Sequence, residues 1–427
     1  MATTLSRREF LEALGTAPLA ALPALHTAWP SWMPRLAFSP PHQAPRGDVL
    51  VVVFLRGAAD CLNVVVPHGE DAYYRHRPTL GLPRPDDRRS GQVQRVIDLD
   101  GFFGLHPALQ PLLPAWQSGQ LAVVHACGAP DESRSHFQAM DLMERGLTDL
   151  HGPASGWIAR HLASLDTGNT SPLRAVGLGE RVQHSLRGPV PVTALRSIAD
   201  FHLGGDLKAA QAMQAALAKL YQGEGELQAL GRETLHILDT LAALDPVTYR
   251  SHREARYPDG DLGLSLRQVA ALIKADVGLE AAAIDVGGWD THFAQGASEG
   301  LMAGLLDDLG QGLGAFHADL ADALQGITLV VMTEFGRRVY ENASLGTDHG
   351  HAGLMFLLGG HVEGGRVHAD WPGLEPEQLF GPGDLAVTID YRDVLAEVCL
   401  KRLHNPVLDQ VFPDFTPKMR GVVRDGA

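Results

Sequence analysis

The stretch "DVLVVVFLRG", Asp48 to Gly57, is a continuous run of β-branched and other apolar residues that ends in arginine and glycine. Such a run is typical of a strand that is buried on both faces of a parallel sheet. Four later segments repeat the pattern: "LAVVHACG" (121–128), "LRAVGLG" (173–179), "AAAIDVGG" (281–288) and "GITLVVMTEFG" (326–336). We therefore predict a mostly parallel sheet built from these strands.

Helical segments lie between the predicted strands. The clearest runs from about Ser298 to Leu324, with acidic residues opposite an apolar stripe at helical spacing. The stripe consists of Leu301, Leu305, Leu309, Leu313, Phe316 and Leu320. Strands separated by helices need crossover connections, so the predicted fold class is α/β, a doubly wound, mostly parallel sheet sandwiched by helices. In such sheets ligands bind beyond the carboxyl ends of the strands.

Length and composition limit the class of protein. The chain has 427 residues, of which 45% are hydrophobic, so it can bury a large core. We expect one domain over residues 45–427, with a helical insertion near 205–245. A formal charge of −15 argues against nucleic acid as a partner. The three cysteines are far apart and form no C-x-x-C pair, which argues against a redox couple or a thiolate metal site.

The N-terminal sequence predicts an export signal. In "SRREFLEALG", Arg7 and Arg8 precede Phe10 and a weakly apolar run, which is typical of a twin-arginine export signal. The run is too short to be a stable membrane anchor, and an amphipathic first helix is the alternative. We assign residues 1–44 to signal and linker, with cleavage between residues 28 and 44. The expected partner is the twin-arginine export machinery, and the expected location is the periplasm or the medium.

Polar residues follow four of the predicted strands and should meet at one edge of the sheet. They are Arg56, Asp60 and Asn63 at and after the end of residues 48–57; Ser133, Arg134, Ser135 and His136 after 121–128; Asp290 and His292 after 281–288; and Glu334 and Arg337 at and after the end of 326–336, followed by Asp348, His349 and His351 of "GTDHGHAG".

Each of these residues also has a structural explanation. Asp60 could cap a turn, Ser133 or Ser135 could cap a helix, and Glu334 and Arg337 could form a buried ion pair. Together, however, they supply the ligands needed to hold two divalent cations and an oxygen nucleophile. Histidine with aspartate suits zinc, manganese or iron better than calcium.

Seven blocks between Asp48 and Val398 carry a family resemblance: "RGAADCLNVVVP", "LHPAL", "SRSHFQAMDLMERG", "GGWDTH", "TEFGRR", "GTDHGH" and "TIDYRDVLAEV". They resemble a bacterial family of twin-arginine-exported proteins whose domain is labelled as of unknown function. That family is grouped with the alkaline phosphatase superfamily, which includes sulfatases, so the resemblance implies an alkaline-phosphatase-like fold. The C-x-P-x-R signature of formylglycine sulfatases is absent, since Cys127 and Pro130 have the wrong spacing.

The resemblance also implies roles for individual residues. The metal ligands it implies are Asp60, Asp348 and His349 for one cation, and Asp290 and His292 for the other, with His368 as a further ligand and His361 or His351 as alternatives. The catalytic residues it implies are Ser135 or Ser133 as nucleophile, with His136 close to that position, and Arg56, Arg134 or Arg337 as grips for substrate oxygens. The sequence departs from the superfamily pattern in two ways. Asp290 and His292 have the spacing D-x-H, where the superfamily has D-x-x-x-H, and Glu334 stands at a strand end where it could replace a ligand.

Two functions remain open at this point. The first is an exported metal-dependent hydrolase of phosphoesters or related anionic esters, in which a metal-activated serine or hydroxide attacks in line. Its partner would be a small anionic ester substrate. The second is a non-catalytic exported binding or envelope-assembly protein that keeps the fold and a metal, because a fold does not imply a function.

Overall fold

A computed structural model describes residues 42–44, 46–88, 94–198, 207–243, 249–252 and 255–425. The predicted signal and linker, residues 1–44, falls outside these ranges apart from residues 42–44. Within the described ranges, none of the helices combines the length and the apolar character needed to cross a membrane.

The described strands, in chain order, are β1 (His42–Gln43), β2 (Val49–Leu55), β3 (Val65–Val66), β4 (Ile97–Asp98), β5 (Gly104–Leu105), β6 (Leu121–Gly128), β7 (Leu165–Asp166), β8 (Ala175–Leu178), β9 (Thr193–Leu195), β10 (Ala281–Val286), β11 (Ile327–Thr333), β12 (Arg337–Glu341), β13 (Thr347–His349), β14 (Gly353–Gly359), β15 (Val367–His368) and β16 (Ile389–Asp390).

The described α-helices are α1 (Cys61–Val64), α2 (Asp71–His76), α3 (Leu113–Gln117), α4 (His136–Arg145), α5 (Trp157–Ser164), α6 (Leu207–Leu220), α7 (Glu226–Ala243), α8 (Asp261–Lys274), α9 (Leu301–Asp319), α10 (Tyr391–Lys401) and α11 (Leu408–Val411). Helices α6 and α7 occupy the stretch in which we expect the helical insertion.

The main sheet has nine strands in the order β15-β6-β14-β11-β2-β10-β8-β9, and β16 also pairs with β6. All five predicted strands are present as β2, β6, β8, β10 and β11. Strand β14 runs antiparallel to both of its neighbours, β11 and β6, whereas the other described pairings in this sheet are parallel. The α/β class is confirmed, and the sheet is mixed.

Strand β2 feeds a separate apolar core on each face of the sheet. Val51, Val53 and Leu55 belong to a core that includes residues of α8 and α9. Leu50, Val52 and Phe54, which alternate with them, belong to a core that includes residues of α4, α5 and α10. Because successive strand side chains point to opposite faces, a continuous apolar run is needed to fill both cores.

Helix α9 is shorter than the predicted span of Ser298 to Leu324. Its Leu309, Leu313 and Phe316 are buried as expected. Leu301 differs from the prediction, because its side chain is 52% exposed. It is the first residue of the helix, and the next residue, Met302, is the one that is buried in the core at this end.

The predicted site residues follow β2, β10 and β11, and these three strands end together at one edge of the sheet. Leu55, the last residue of β2, pairs with Val286 of β10 and Thr333 of β11, so the loops that follow leave from one place. Strand β14 begins at this edge because it runs in the opposite direction. The "GTDHGHAG" loop (346–353), which leads into β14, is thereby brought beside "GWDTH".

Candidate metal centre

One carboxylate oxygen of Asp290 lies at the centre of a histidine cluster. Its Oδ1 atom is 3.1 Å from His292 Nε2, 3.2 Å from His349 Nε2 and 3.5 Å from His136 Nε2. The three histidines come from separate segments: His136 begins α4, His292 follows β10, and His349 ends β13. The tertiary fold therefore assembles four donors from three segments that are far apart in sequence, with Asp290 and His292 on the same loop.

The second nitrogen of each ring is fixed by an oxygen acceptor. His136 Nδ1 lies 2.7 Å from Glu334 Oε1, His349 Nδ1 lies 2.9 Å from the Arg134 carbonyl oxygen, and His292 Nδ1 lies 3.2 Å from Asp348 Oδ1. A carbonyl or carboxylate oxygen accepts hydrogen bonds, so in each neutral ring Nδ1 carries the proton. Each Nε2 then presents a lone pair toward Asp290, an arrangement found around metal-ligating histidines.

The spacing of the donors fits a small cation. His292 Nε2 and His349 Nε2 are 2.9 Å apart, and the distances from Asp290 Oδ1 span 3.1 to 3.5 Å. A tetrahedral site with zinc–nitrogen bonds of about 2.0–2.1 Å separates its donors by about 3.3 Å. The donor atoms of His136, Asp290 and His349 all lie within 4.8 Å of one another. The residues present therefore fit zinc, manganese or iron by both donor type and distance.

Electrostatics keeps the central groups in the forms that bind cations. Burial acts to raise the pKa of Asp290, but the hydrogen bond from Arg337 and the positive charge of that guanidinium lower it to about 2. Burial lowers the pKa of His349 below its ordinary value. At neutral pH Asp290 is therefore ionised and His349 is neutral, and metal ligands must be deprotonated in this way.

Glu334 serves as a support for His136. It is 1% exposed, and its Oε1 atom accepts both the His136 Nδ1–H and the Gly57 backbone N–H, the latter at 2.8 Å. The hydrogen bond to Glu334 raises the pKa of His136. Glu334, which we predicted as a possible ligand, instead orients a histidine that we predicted near the nucleophile.

Asp60 is in a different environment from the one predicted. Its Oδ1 and Oδ2 atoms accept from Arg77 at 2.8 and 2.5 Å, and Gln295 Nε2 donates to Oδ2 at 2.7 Å. The side chains of Asp60 and Arg77 are both fully buried. Asp60 is thus neutralised by an arginine, and His349 is grouped with Asp290 rather than with Asp60.

The three histidines predicted downstream as further ligands lie elsewhere. His368 is in β15 beside Val124 of β6, and its Nε2 contacts the Glu363 carbonyl oxygen at 2.9 Å. His361 follows β14, whose last residue pairs with the beginning of β11, so it lies at the opposite edge of the sheet. His351 is buried and stacks on Phe380 with ring centroids 4.7 Å apart.

The predicted nucleophiles do not contact the cluster. Ser133 Oγ accepts the backbone N–H of Ser135 at 3.2 Å, and Ser135 is the residue before α4. In the described part of the chain, no hydrogen bond joins either hydroxyl to Asp290 or to the three histidines. Ser135 occupies the N-cap position of α4 without a side-chain capping hydrogen bond, and the Ser133 hydroxyl organises the turn that precedes it.

The arginines predicted to bind substrate oxygens form contacts with other groups of the protein. Arg56 donates to Glu144 at 2.8 Å and to Asp285 at 2.7 Å, and Arg134 pairs with Asp384. Arg337 has a fully buried side chain that donates to the carbonyl oxygens of Ala58 and Thr347 at 2.7 and 2.9 Å and to Asp290 at 2.6 Å. It fixes the loops around Asp290, so it acts as a support for that carboxylate.

Sequence analysis missed two residues that shape the cluster. Asn342 Nδ2 donates to the His292 carbonyl oxygen at 2.9 Å and to Asp348 Oδ1 at 3.1 Å, which ties two loops together. Phe335 packs its ring 5.1 Å from those of His136 and His349. The asparagine in "ENASLGT" and the aromatic residue after Glu334 were the available signals.

The fold and site define an α/β protein with a solvent-open histidine–aspartate cluster at the carboxyl edge of a mixed sheet. The family model described as Protein of unknown function (DUF1501) matches residues 48–399, and the chain belongs to that family. This finding confirms the predicted domain-of-unknown-function family. No curated protein matches the chain.

Proposed function

We propose that the protein is a metal-dependent hydrolase of phosphoesters or related esters, with a cation held by Asp290, His136, His292 and His349. The observation that carries this proposal is the approach of three Nε2 atoms to one oxygen of Asp290, each ring anchored through Nδ1. The side chains of Asp290, His292 and Asp348 are 49%, 41% and 53% exposed, so a substrate can reach the cluster.

The charges of the cluster favour one cation. Asp290, Asp348 and Glu334 supply three negative charges, and Arg337 contacts Asp290 with one positive charge. One divalent cation balances the remainder, whereas the two cations of our sequence prediction would leave an excess. Asp60, which was to complete a second site, is paired with Arg77. We therefore propose a single zinc, manganese or iron ion.

A cation in this site supplies Lewis acidity, which activates a water nucleophile and polarises the ester oxygen. The chain's own residues position it: Glu334 orients His136, Asp348 orients His292, and Arg337 holds Asp290. We assign the attack to water because neither Ser133 nor Ser135 contacts the cluster.

The finer assignments of fold and location are also proposals. The family match over residues 48–399 and the site at the carboxyl edge of the sheet support an alkaline-phosphatase-like fold. The twin arginines Arg7 and Arg8 support export to the periplasm. Replacing both with lysine should leave the protein in the cytoplasm, as cell fractionation would show, and unchanged export of this variant contradicts the route.

Metal content and turnover together test the proposed function. Purified protein should contain one equivalent of transition metal by elemental analysis and should hydrolyse members of an aryl phosphoester panel. Asp290→Asn and His349→Ala should lose both, whereas His151→Ala, at an exposed histidine, should keep both. The proposal fails if the protein holds no stoichiometric metal and the two cluster variants alter neither metal content nor turnover.

One observation favours the second candidate, a non-catalytic exported metal-binding protein. The arginines expected to act on substrate are engaged in structural contacts, and among the described residues no hydrogen bond joins either serine hydroxyl to the cluster. This candidate predicts a stoichiometric cation without turnover of any ester in the panel. A hydrolytic rate that disappears in Asp290→Asn would rule it out.

A further inference from the structure

Two phenylalanines next to the cluster are left in solvent. The side chains of Phe137 and Phe293 are 91% and 73% exposed, and they are the exposed phenylalanines among the described residues. Each directly follows a histidine of the cluster, His136 or His292. Consecutive Cα atoms are only about 3.8 Å apart, so the backbone of each phenylalanine directly adjoins that of a residue of the cluster.

A third exposed apolar side chain lies on a loop that is hydrogen-bonded to the residues following Phe293, and the backbone is strained there. Leu345 is 54% exposed and has a φ of 58°, and Ala294 has a φ of 47°. The Ala294 N–H donates to the Ser344 carbonyl oxygen at 3.0 Å, and the Gln295 N–H donates to that of Leu345 at 2.9 Å. Left-handed conformations in such residues persist only where the surroundings enforce them, and they concentrate at functional sites.

The exposure itself points to a ligand. A single exposed apolar residue needs no explanation, but a group of them beside a cluster of polar groups marks a binding surface. The arginines predicted to bind an anion are engaged elsewhere, namely Arg56 with Glu144 and Asp285, and Arg134 with Asp384. These arginines are therefore not free to bind the phosphate group, and apolar contact adds to the affinity that a cation would supply.

Resting on the proposed hydrolase function, we propose that Phe137 and Phe293 bind the apolar group of the substrate. The substrate class is then a phosphodiester that carries one negative charge and one bulky apolar or aromatic ester group. Burial of an aromatic ring of the substrate against these side chains supplies the preference for a bulky ester group over a small one. Phe137 and Phe293 are specificity-determining residues in this assignment.

The test compares two p-nitrophenyl phosphodiesters whose second ester group is methyl or phenyl. The metal-loaded, full-length protein should favour the phenyl diester by about tenfold or more in kcat/KM, the scale expected for burying one ring. Phe137→Ser and Phe293→Ser together should bring this ratio close to one. Leu227→Ser, at a 66% exposed leucine in α7, is the matched control and should keep the ratio.

A competition measurement distinguishes this proposal from the hydrolase proposal. Diphenyl phosphate should compete more strongly than dimethyl phosphate, and the double variant should abolish the difference.

Equal kcat/KM values for the two diesters in the wild-type protein would overturn the apolar contact but leave the hydrolase proposal standing. Selective, phenylalanine-dependent binding without turnover overturns the hydrolase but keeps the apolar contact. If the double variant instead converts a dimer to a monomer with an unchanged ester ratio, the surface binds a second copy and the proposal is overturned.

Discussion

His136 donates its Nδ1–H to Glu334 Oε1 over 2.7 Å, and this bond turns its Nε2 toward Asp290. The two residues are 198 positions apart, at the start of α4 and directly after β11. Such a carboxylate partner fixes the tautomer of a ligating histidine and increases its basicity. The pair therefore links the end of the central sheet to the cation site.

Glu334→Gln should weaken metal binding. The amide keeps the shape and can still accept from Gly57, but it loses the charge that supports His136, and loss of such partners costs on the order of 10- to 100-fold in metal affinity. Competition with a chromophoric chelator would measure the change. Glu132→Gln, at an exposed glutamate, is the control, and an affinity of Glu334→Gln equal to the control would refute this role.

Asp60→Ala should destabilise the protein without emptying the metal site. The change leaves Arg77 buried and unpaired, which costs about 3–5 kcal/mol in free energy of unfolding. Urea denaturation gives that value, and elemental analysis gives the metal content. An apolar double variant, Asp60→Leu with Arg77→Met, should recover part of the loss because the buried charge is gone. Loss of the metal from folded Asp60→Ala would restore Asp60 as a ligand.

Gly346→Ala should separate the two loops that carry His292 and Asp348. A Cβ at Gly346 would lie 2.4 Å from the carbonyl carbon and oxygen of His292, so the backbone must shift. We expect a loss of about 1–3 kcal/mol in stability together with weaker metal binding. Gly287→Ala meets no atom within 4 Å and is the matched control in the same region. Identical metal affinities for the two variants would count against the loop contact.

Ser133→Ala and Ser135→Ala should leave hydrolysis roughly unchanged. Neither hydroxyl contacts the cluster, whereas loss of a true serine nucleophile costs on the order of 10⁶ in kcat. Steady-state kinetics on a responsive aryl phosphodiester gives the comparison, with Asp290→Asn as the inactive reference. A collapse of kcat in either serine variant would assign the attack to serine instead of water.

Unfolding stability should fall as the pH drops from 6.5 to 4. Burial lowers the pKa values of His125 and His161 to about 4. Both rings ionise near 6.5 when unfolded, so between these values the unfolded chain binds more protons and stability is lost. The full contribution, about 3 kcal/mol for each histidine, is present above pH 6.5.

Urea unfolding at pH 7.5 and 5.0, with a chelator present to remove metal effects, checks this dependence. His125→Gln should show a smaller loss between the two values, because its amide has no proton to gain and can still donate to the Val65 carbonyl oxygen that His125 Nε2 contacts at 2.9 Å. His151→Gln, at an exposed site, should behave like the unmodified protein. An identical loss in all three proteins would show that other groups dominate.

The chain sequence alone determined the α/β class and the five predicted strands of the sheet. A strand such as β2 faces an apolar core on both sides, so its burial requires an apolar run that is visible in the sequence. Sequence also placed Asp290, His292 and His349 at the edge where strands end, because parallel strands deliver their following loops to one place. Strand β14 was not predicted. Its antiparallel direction depends on which strands it pairs with, and the sequence alone does not show that pairing.

Tertiary structure alone decided what each polar side chain does. Asp60 looked like a ligand, and only the folded chain shows Arg77 in contact with it. His136 looked like a residue near the nucleophile, and contact with Glu334, 198 residues away, turned it toward Asp290. A local sequence pattern indicates whether a segment is buried, because each buried position of a strand or helix requires an apolar residue. They do not record which charged partner arrives from a distant loop, because that pairing exists only after the strands have brought the loops together.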